Sequence, residues 1–167
     1  MKLHTFCIYS ELVCFKQTCL DKIHFLKIGM PLKILIAEDD EDIAYQYAES
    51  LKSLGHGVFV TKDGEECLSA YRYGLMKSFD NRSPFDVVVV DYAMPKKNGV
   101  ELAKAILSEQ PKQKIIFVSA HGNLLLEDLE EFGPNVEFLS KPVSILALIA
   151  KIEGKRIKDV TRAVKYS

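Results

Sequence analysis

Short apolar runs that each stop at a polar residue constrain the fold of this chain more than any other feature. The runs cover residues 34–37, 87–90, 115–118 and 138–139, and stretches with helical spacing of apolar residues lie between them. This alternation predicts βα units and a parallel sheet. In an open α/β sheet, the carboxyl ends of the strands border one crevice. We therefore expect the polar residues that follow the runs to meet there.

The periodicity and the turn residues predict five strands with helices between them. Strands are expected over residues 33–37, 58–61, 86–91, 114–119 and 136–139, and helices over about 42–54, after Gly64, over 100–109, over 123–131 and from near Pro142. Residues 74–85 are expected to form a loop that is longer than most connections. Four consecutive valines before Asp91 favour a central strand that is buried on both faces.

Composition indicates one ordinary globular domain of the cytoplasm. The chain has 167 residues, 48% of them hydrophobic, and a net charge of -1, which gives no support for broad attraction to nucleic acid. Its cysteines, Cys7, Cys14, Cys19 and Cys67, fit neither a C-x-x-C pattern nor a zinc-ligand set. We interpret them as free thiols in a reducing compartment.

The first 29 residues differ from the rest, because charged residues interrupt every apolar stretch there and exclude an ordinary membrane-spanning helix. Met30 directly precedes Pro31 and the first strand, so we interpret Met30 as the native start of the protein. The alternative is a short amphipathic arm that serves docking or dimerisation. The predicted organisation is an extension over 1–29, a domain over 30–153 and a basic tail over 154–167, where a solvated helical end is favoured over a nucleic-acid contact.

The polar residues at the strand ends suit phosphoryl transfer. Asp91 ends the most buried run alone, and a carboxylate can accept a phosphoryl group. Glu38 and Asp39 offer the oxygen ligands that Mg²⁺ prefers, while Lys141 adds a cation and Ser119 a hydroxyl. Each piece alone has an ordinary explanation, such as a helix first turn for the acidic residues. Their joint placement at four strand ends favours the site.

These residues and the motifs around them resemble those of the receiver domain of two-component response regulators. They are Glu38-Asp39 after ILIA, Asp91 in DYAMP with Asn98-Gly99 beyond it, Ser119-Ala120 and Lys141-Pro142, and the resemblance covers roughly residues 30–153. It implies a flavodoxin-like, doubly wound (βα)5 parallel sheet with strand order 2-1-3-4-5. It also implies that Asp91 takes phosphate from a histidine kinase or a histidine phosphotransfer protein.

The resemblance further implies a role for each site residue. The Mg²⁺ site comprises Glu38, Asp39, Asp91 and the Ala93 backbone carbonyl, Lys141 contacts the phosphoryl group, and Ser119 and Phe138 form the switch. The implied readout surface is the face of strands four and five, roughly residues 123–150, through which receivers bind targets and commonly form homodimers. The expected protein is a cytoplasmic, stand-alone receiver that signals through partners and has no enzymatic activity beyond its own phosphorylation and dephosphorylation.

Some positions depart from the family pattern and leave alternatives open. Glu38 stands where many relatives have Asp, and Ala93 has no side chain to orient an attacking water, whereas His121 can do so. We therefore expect slow hydrolysis of the phosphoryl group. Two other classes remain, a phosphorylation-independent adaptor with this fold and a phosphatase or phosphotransferase with an Asp nucleophile. The intact set of polar residues disfavours the adaptor, and Ala93 in place of an acid disfavours the enzyme.

Overall fold

Each predicted strand belongs to one parallel sheet in the computed structural model, which describes residues 30–80, 82–120 and 132–165. The strands are Lys33–Ala37 (β1), Gly57–Thr61 (β2), Val87–Asp91 (β3), Lys114–Ser119 (β4) and Val136–Ser140 (β5). Their order is β2-β1-β3-β4-β5, and every neighbouring pair is parallel. The predicted flavodoxin-like, doubly wound fold and its strand order are confirmed.

The described helices cover Glu41–Ser53 (α1), Gly64–Lys77 (α2), Gly99–Glu109 (α3), Ile145–Glu153 (α4) and Ile157–Lys165 (α5). The first four each follow a residue whose side chain accepts a hydrogen bond from a backbone N–H of the first turn, namely Asp40, Asp63, Asn98 and Ser144. Such caps satisfy donors that a helix leaves unpaired at its start. They fix where the chain leaves the sheet and turns into each helix.

The sheet separates two apolar cores because successive strand residues point to opposite faces. Leu35, Val88 and Val90 pack with residues of α2 and α3 on one face. Ile34, Val87 and Val89 pack with residues of α1, α4 and α5 on the other. All of β3 is buried, as the valine run predicts. The covered faces leave the carboxyl edge of the sheet open for polar chemistry.

Two predicted boundaries are wrong. Helix α2 continues through Lys77, so residues 74–77 are helical and not loop; Gly74 is tolerated there because Pro84 packs where a side chain would lie. The last predicted helix begins at Ile145 and not near Pro142, because Ser144 provides the cap. Gly154, at φ 64°, then ends α4, and α5 follows with Val160 buried against the core. Residues 157–165 of the predicted basic tail are therefore helical, and Val160 packs against the core instead of facing solvent.

Several sequence-based predictions lie outside the described residues. These are the helix over 123–131, the role of His121 and everything concerning residues 1–29. The division of the chain into an extension, a domain and a tail stays a prediction. Within the described ranges, none of the helices combines the length and the apolar character that crossing a bilayer requires.

Candidate functional site

The carboxyl ends of β1, β3 and β5 bring three predicted site residues into contact. Lys141 Nζ lies 3.1 Å from Glu38 Oε1 and 3.0 Å from Glu38 Oε2. The same ammonium group donates to Asp91 Oδ2 at 2.8 Å. Glu38 and Asp91 are both buried, and the Lys141 side chain is mostly so. One cation therefore joins two carboxylates that come from different strands.

Asp39 completes an acidic cluster with Glu38 and Asp91. One carboxylate oxygen from each residue lies within 4.8 Å of the other two. Such an all-oxygen donor set suits a hard divalent cation, and Mg²⁺ usually keeps several waters while it takes few protein ligands. Asp39 is exposed whereas the other two are buried, so the cluster has a solvent-exposed side that accommodates the water ligands of such an ion. The residues present therefore fit the predicted Mg²⁺ site.

Burial dominates the electrostatics of this cluster. It raises the pKa of Glu38 to about 7, against the lowering effect of the hydrogen bond from Lys141, and the charge of Asp91 adds to the rise. Burial also lowers the pKa of Lys141, but its hydrogen bonds to Asp91 and Glu38 outweigh that effect and leave the pKa above its ordinary value. Two buried carboxylates with one ammonium favour the uptake of a further cation.

The local chain explains why Glu38 and Asp39 face the crevice although they lie beside a helix. Glu38 is held by its backbone N–H, which donates to Thr61 O at 3.1 Å, and Thr61 Oγ1 donates to Ile36 O at 2.9 Å. Asp40 Oδ1 accepts from the backbone N–H groups of Asp42 and Ile43, both at 3.0 Å. The third acidic residue thus caps α1, and the first two remain available to the cluster.

The other predicted site residues lie in the strands and loops around this cluster. Ala93 N–H donates to Asp91 Oδ1 at 3.3 Å, so the loop backbone lies directly beside the carboxylate. Ser119 is buried at the end of β4, and its carbonyl accepts from Lys141 N–H at 2.8 Å. Phe138 is partly buried on β5 and packs against the core that α2 and α3 cover. The switch roles of Ser119 and Phe138 stay predictions.

The contacts that hold the loop between β3 and α3 were not among the features that the sequence predicts. Gly99 N–H donates to Tyr92 O at 3.0 Å, and a Cβ at Gly99 would lie 2.5 Å from Asp91 O. At the other side of the loop, Lys96 Nζ lies 2.6 Å from Asp63 Oδ2. No local signal in the sequence links positions so far apart, although an Asp-Gly pair does predict a cap.

The sheet order and the polar cluster at its carboxyl edge define a receiver-type α/β domain, and comparison with known proteins agrees. A family profile described as the response regulator receiver domain matches residues 34–153. The transcriptional regulatory protein RprY of Bacteroides fragilis (strain YCH46) is 31% identical over 137 residues, which cover 77% of this chain and 53% of RprY. The response regulator receiver protein CpdR of Brucella abortus (strain 2308) is 26% identical over 121 residues, which cover 72% of this chain and 93% of CpdR.

A solved structure of a response regulator receiver domain protein from Clostridium thermocellum is similar with a TM-score of 0.62 and 25% identity. The similarity covers 81% of this chain and 98% of that one. The chain therefore belongs to the response regulator receiver domain family. It spans about half the length of RprY and nearly all of CpdR.

Proposed function

We propose that this chain is a phosphoacceptor of a two-component or phosphorelay system. Asp91 takes a phosphoryl group from a phosphohistidine on a histidine kinase or a phosphotransfer protein, and the chain then signals by protein–protein contact. The observation that carries this proposal is the shared ammonium of Lys141, which lies 2.8 Å from Asp91 Oδ2 and 3.0 Å from Glu38 Oε2. A nucleophilic carboxylate, an acidic metal cluster and a cation thus occupy one small crevice.

Asp91 is placed to act as the nucleophile. One carboxylate oxygen attacks phosphorus, the bond between phosphorus and the imidazole nitrogen of the donor breaks, and an aspartyl phosphate forms. Lys141 holds Oδ2 and the Ala93 N–H holds Oδ1, so the orientation of the carboxylate is fixed before the donor arrives. Such positioning matters because phosphoryl transfer depends on alignment and on charge neutralisation more than on proton chemistry.

The proposed Mg²⁺ ligands are Glu38, Asp39, Asp91 and the Ala93 carbonyl. When bound, Mg²⁺ neutralises charge on the transferring phosphoryl oxygens. Lys141 supplies the second positive charge. Phosphorylation removes the carboxylate charge of Asp91, and the phosphoryl oxygens then become the new partner of the Lys141 ammonium. This local change of charge is the signal that the proposed switch residues, Ser119 and Phe138, convert into a new surface.

The proposed readout is the surface at β4 and β5, where a target protein or a second copy binds. The proposed compartment is the cytoplasm, where kinases of this class deliver phosphate. We also propose that the chain has no catalytic activity other than its own phosphorylation and dephosphorylation. Because Ala93 has no side chain to orient water, phosphate loss from Asp91 is expected to be slow, and decay of the phosphorylated chain within seconds would contradict this.

Incubation of the purified chain with acetyl phosphate and Mg²⁺, followed by intact-mass measurement, tests the proposal. The expected result is the added mass of one phosphoryl group, absent in Asp91→Asn and present in Asp86→Asn. Asp86 is a suitable control because it lies before the same strand, where its Oδ2 accepts from Lys33 N–H at 2.7 Å. Failure of the wild-type chain to gain phosphate would overturn the proposal and favour a phosphorylation-independent adaptor.

A further inference from the structure

The loop of residues 92–98 carries Ala93 past the carboxylate of Asp91, so its position determines the shape of the site. At its C-terminal end the loop is fixed by Gly99, which packs against the Asp91 carbonyl too closely for any side chain. At its midpoint it is fixed by Lys96, whose ammonium reaches across to Asp63 at 2.6 Å. The second contact joins this loop to the start of α2, an element that contributes no ligand to the proposed site.

Lys96 has an unusual backbone conformation for a residue with a side chain. Its φ is 66°, and it is the one non-glycine residue with positive φ in the described part of the chain. Lys97 N–H donates to Pro95 O at 2.9 Å, which closes a three-residue γ-turn with Lys96 at its centre. Turns of this kind are rare and strained, and such strain persists only where surrounding contacts hold it. The ion pair with Asp63 is a contact that restrains Lys96 in this conformation.

Asp63 is a rigid anchor for that contact. Its side chain is 4% exposed, and its Oδ1 accepts from Glu66 N–H at 2.8 Å while its Oδ2 faces Lys96. The next residue, Gly64, lies against the same loop, where a Cβ would be 2.4 Å from Lys97 O. The start of α2 therefore provides both a charged partner for Lys96 and a glycine against which the loop backbone packs closely.

We propose that Asp63 and Lys96 are positioning residues for the phosphoacceptor site. The pair holds the loop so that the Ala93 backbone stays against Asp91, and it thereby sets Mg²⁺ affinity and the rate at which Asp91 gains phosphate. This inference rests on the proposed function for its consequences, but its structural part concerns the loop alone. A short, charge-assisted hydrogen bond that orients groups next to metal ligands typically has a measurable effect on metal affinity.

A purely structural role of this ion pair would predict that its loss lowers the unfolding temperature. The Lys96 side chain is 55% exposed, and ion pairs with one exposed partner contribute little to global stability. Loss of the pair should therefore leave the fold intact while the γ-turn relaxes and Ala93 shifts away from Asp91. Metal affinity and phosphorylation rate should change, whereas the unfolding temperature should not.

The test compares Lys96→Met, Asp63→Asn, their double variant, Lys96→Arg and Lys97→Met. Asparagine caps helices as well as aspartate does, so Asp63→Asn removes the charge and keeps the cap of α2. Calorimetric titration with Mg²⁺ should show about a 10-fold loss of affinity in both single variants and no further loss in the double variant. Lys96→Arg should recover most of the affinity, and the neighbouring control Lys97→Met should match the wild type. The rate of phosphorylation by acetyl phosphate should follow the same order.

Equal Mg²⁺ affinity in Lys96→Met and Lys97→Met would overturn the inference and leave the proposed function intact. Additive losses in the double variant would also overturn it, because the two residues would then act separately. If the wild-type chain bound no Mg²⁺, the proposed function would fail. The chemical shift of the Ala93 amide would then decide whether the Asp63–Lys96 pair positions the loop. A shift in Lys96→Met but not in Lys97→Met supports the loop contact, and an unchanged shift in both refutes it.

Discussion

Lys141 Nζ lies 2.8 Å from Asp91 Oδ2 although the two residues are 50 positions apart in the chain. The same ammonium group also contacts both oxygens of Glu38, 103 positions away. Parallel topology makes this possible, because β1, β3 and β5 all end at one edge of the sheet. The contact therefore depends on the fold as a whole, and its removal should affect both stability and chemistry.

Replacement of Lys141 by methionine should leave two buried carboxylates without their cation. Unpaired buried charges are costly, so Lys141→Met should lower the free energy of unfolding by about 2 kcal/mol at neutral pH without metal. Urea denaturation in EDTA measures this change, and Mg²⁺ should restore part of the loss by taking the place of the ammonium. Lys97→Met, in the neighbouring loop, is the control. A loss no larger than in this control would contradict the role of Lys141 as the cation of the cluster.

Asp39 is the exposed member of the acidic cluster, so its substitution should separate metal binding from folding. We expect Asp39→Asn to lower Mg²⁺ affinity about 10-fold or more, with little change in unfolding free energy, because the cluster loses one negative oxygen ligand. Asp40→Asn is the matched control, since Asp40 caps α1 and asparagine can do the same. Calorimetric titration measures both, and equal affinities would place the ion elsewhere.

The sequence determined the strands and the cluster well because both depend on strong local signals. A run such as residues 87–90 has no polar residue, so burial on both faces predicts its central place. Residues at the ends of such runs then meet by topology alone, which is why Glu38, Asp91 and Lys141 could be grouped before any coordinates. The end of α2 was predicted wrongly because Gly74 lies inside the helix, where a glycine is favoured by the packing of Pro84 against it.

The contact between Lys96 and Asp63 could not be predicted, because neither residue belongs to a periodic pattern. Its existence depends on how a turn after β3 folds back towards the start of α2, and on a backbone φ that lysine seldom adopts. The sequence also did not indicate which acidic residue would cap α1. Asp40 does so, because its carboxylate accepts from the backbone N–H groups of Asp42 and Ile43 in the first turn of α1.

Gly99, the first residue of α3, packs against the backbone at the end of β3. A Cβ there would lie 2.5 Å from Asp91 O and 3.0 Å from Tyr92 Cα, both backbone atoms that cannot move aside cheaply. Gly99→Ala should therefore lower the unfolding free energy by about 2 kcal/mol and disturb phosphorylation of Asp91. Gly57→Ala, where the nearest atom is 3.8 Å away, should change stability far less. Urea denaturation compares the two, and equal effects would contradict close packing at Gly99.

His56 lies at the opposite end of the sheet from Asp91. Its ring is buried, Nδ1 accepts from Leu32 N–H at 3.2 Å, and Nε2 lies 3.4 Å from Glu153 Oε1. A neutral ring that accepts at Nδ1 carries its proton on Nε2, facing the carboxylate. Burial lowers the pKa of His56 below 6.5, and the attraction of Glu153, itself paired with Lys155, only partly opposes this. The folded chain therefore holds this histidine neutral.

Stability should consequently depend on pH through His56. Well above pH 6.5 the histidine is neutral in both states, and as pH falls through this value the unfolded chain gains a proton before the folded chain does, so the folded state loses stability. Glu38 acts in the opposite direction, since its pKa of about 7 favours the folded state as pH falls. We therefore compare wild type with His56→Asn, in which Glu38 is common to both and the asparagine oxygen can replace Nδ1 as acceptor. Between pH 7.5 and 5.5, the unfolding free energy measured by urea denaturation should change less favourably on acidification in the wild type than in His56→Asn, and equal changes would mean that His56 becomes charged as readily in the folded chain as in the unfolded one.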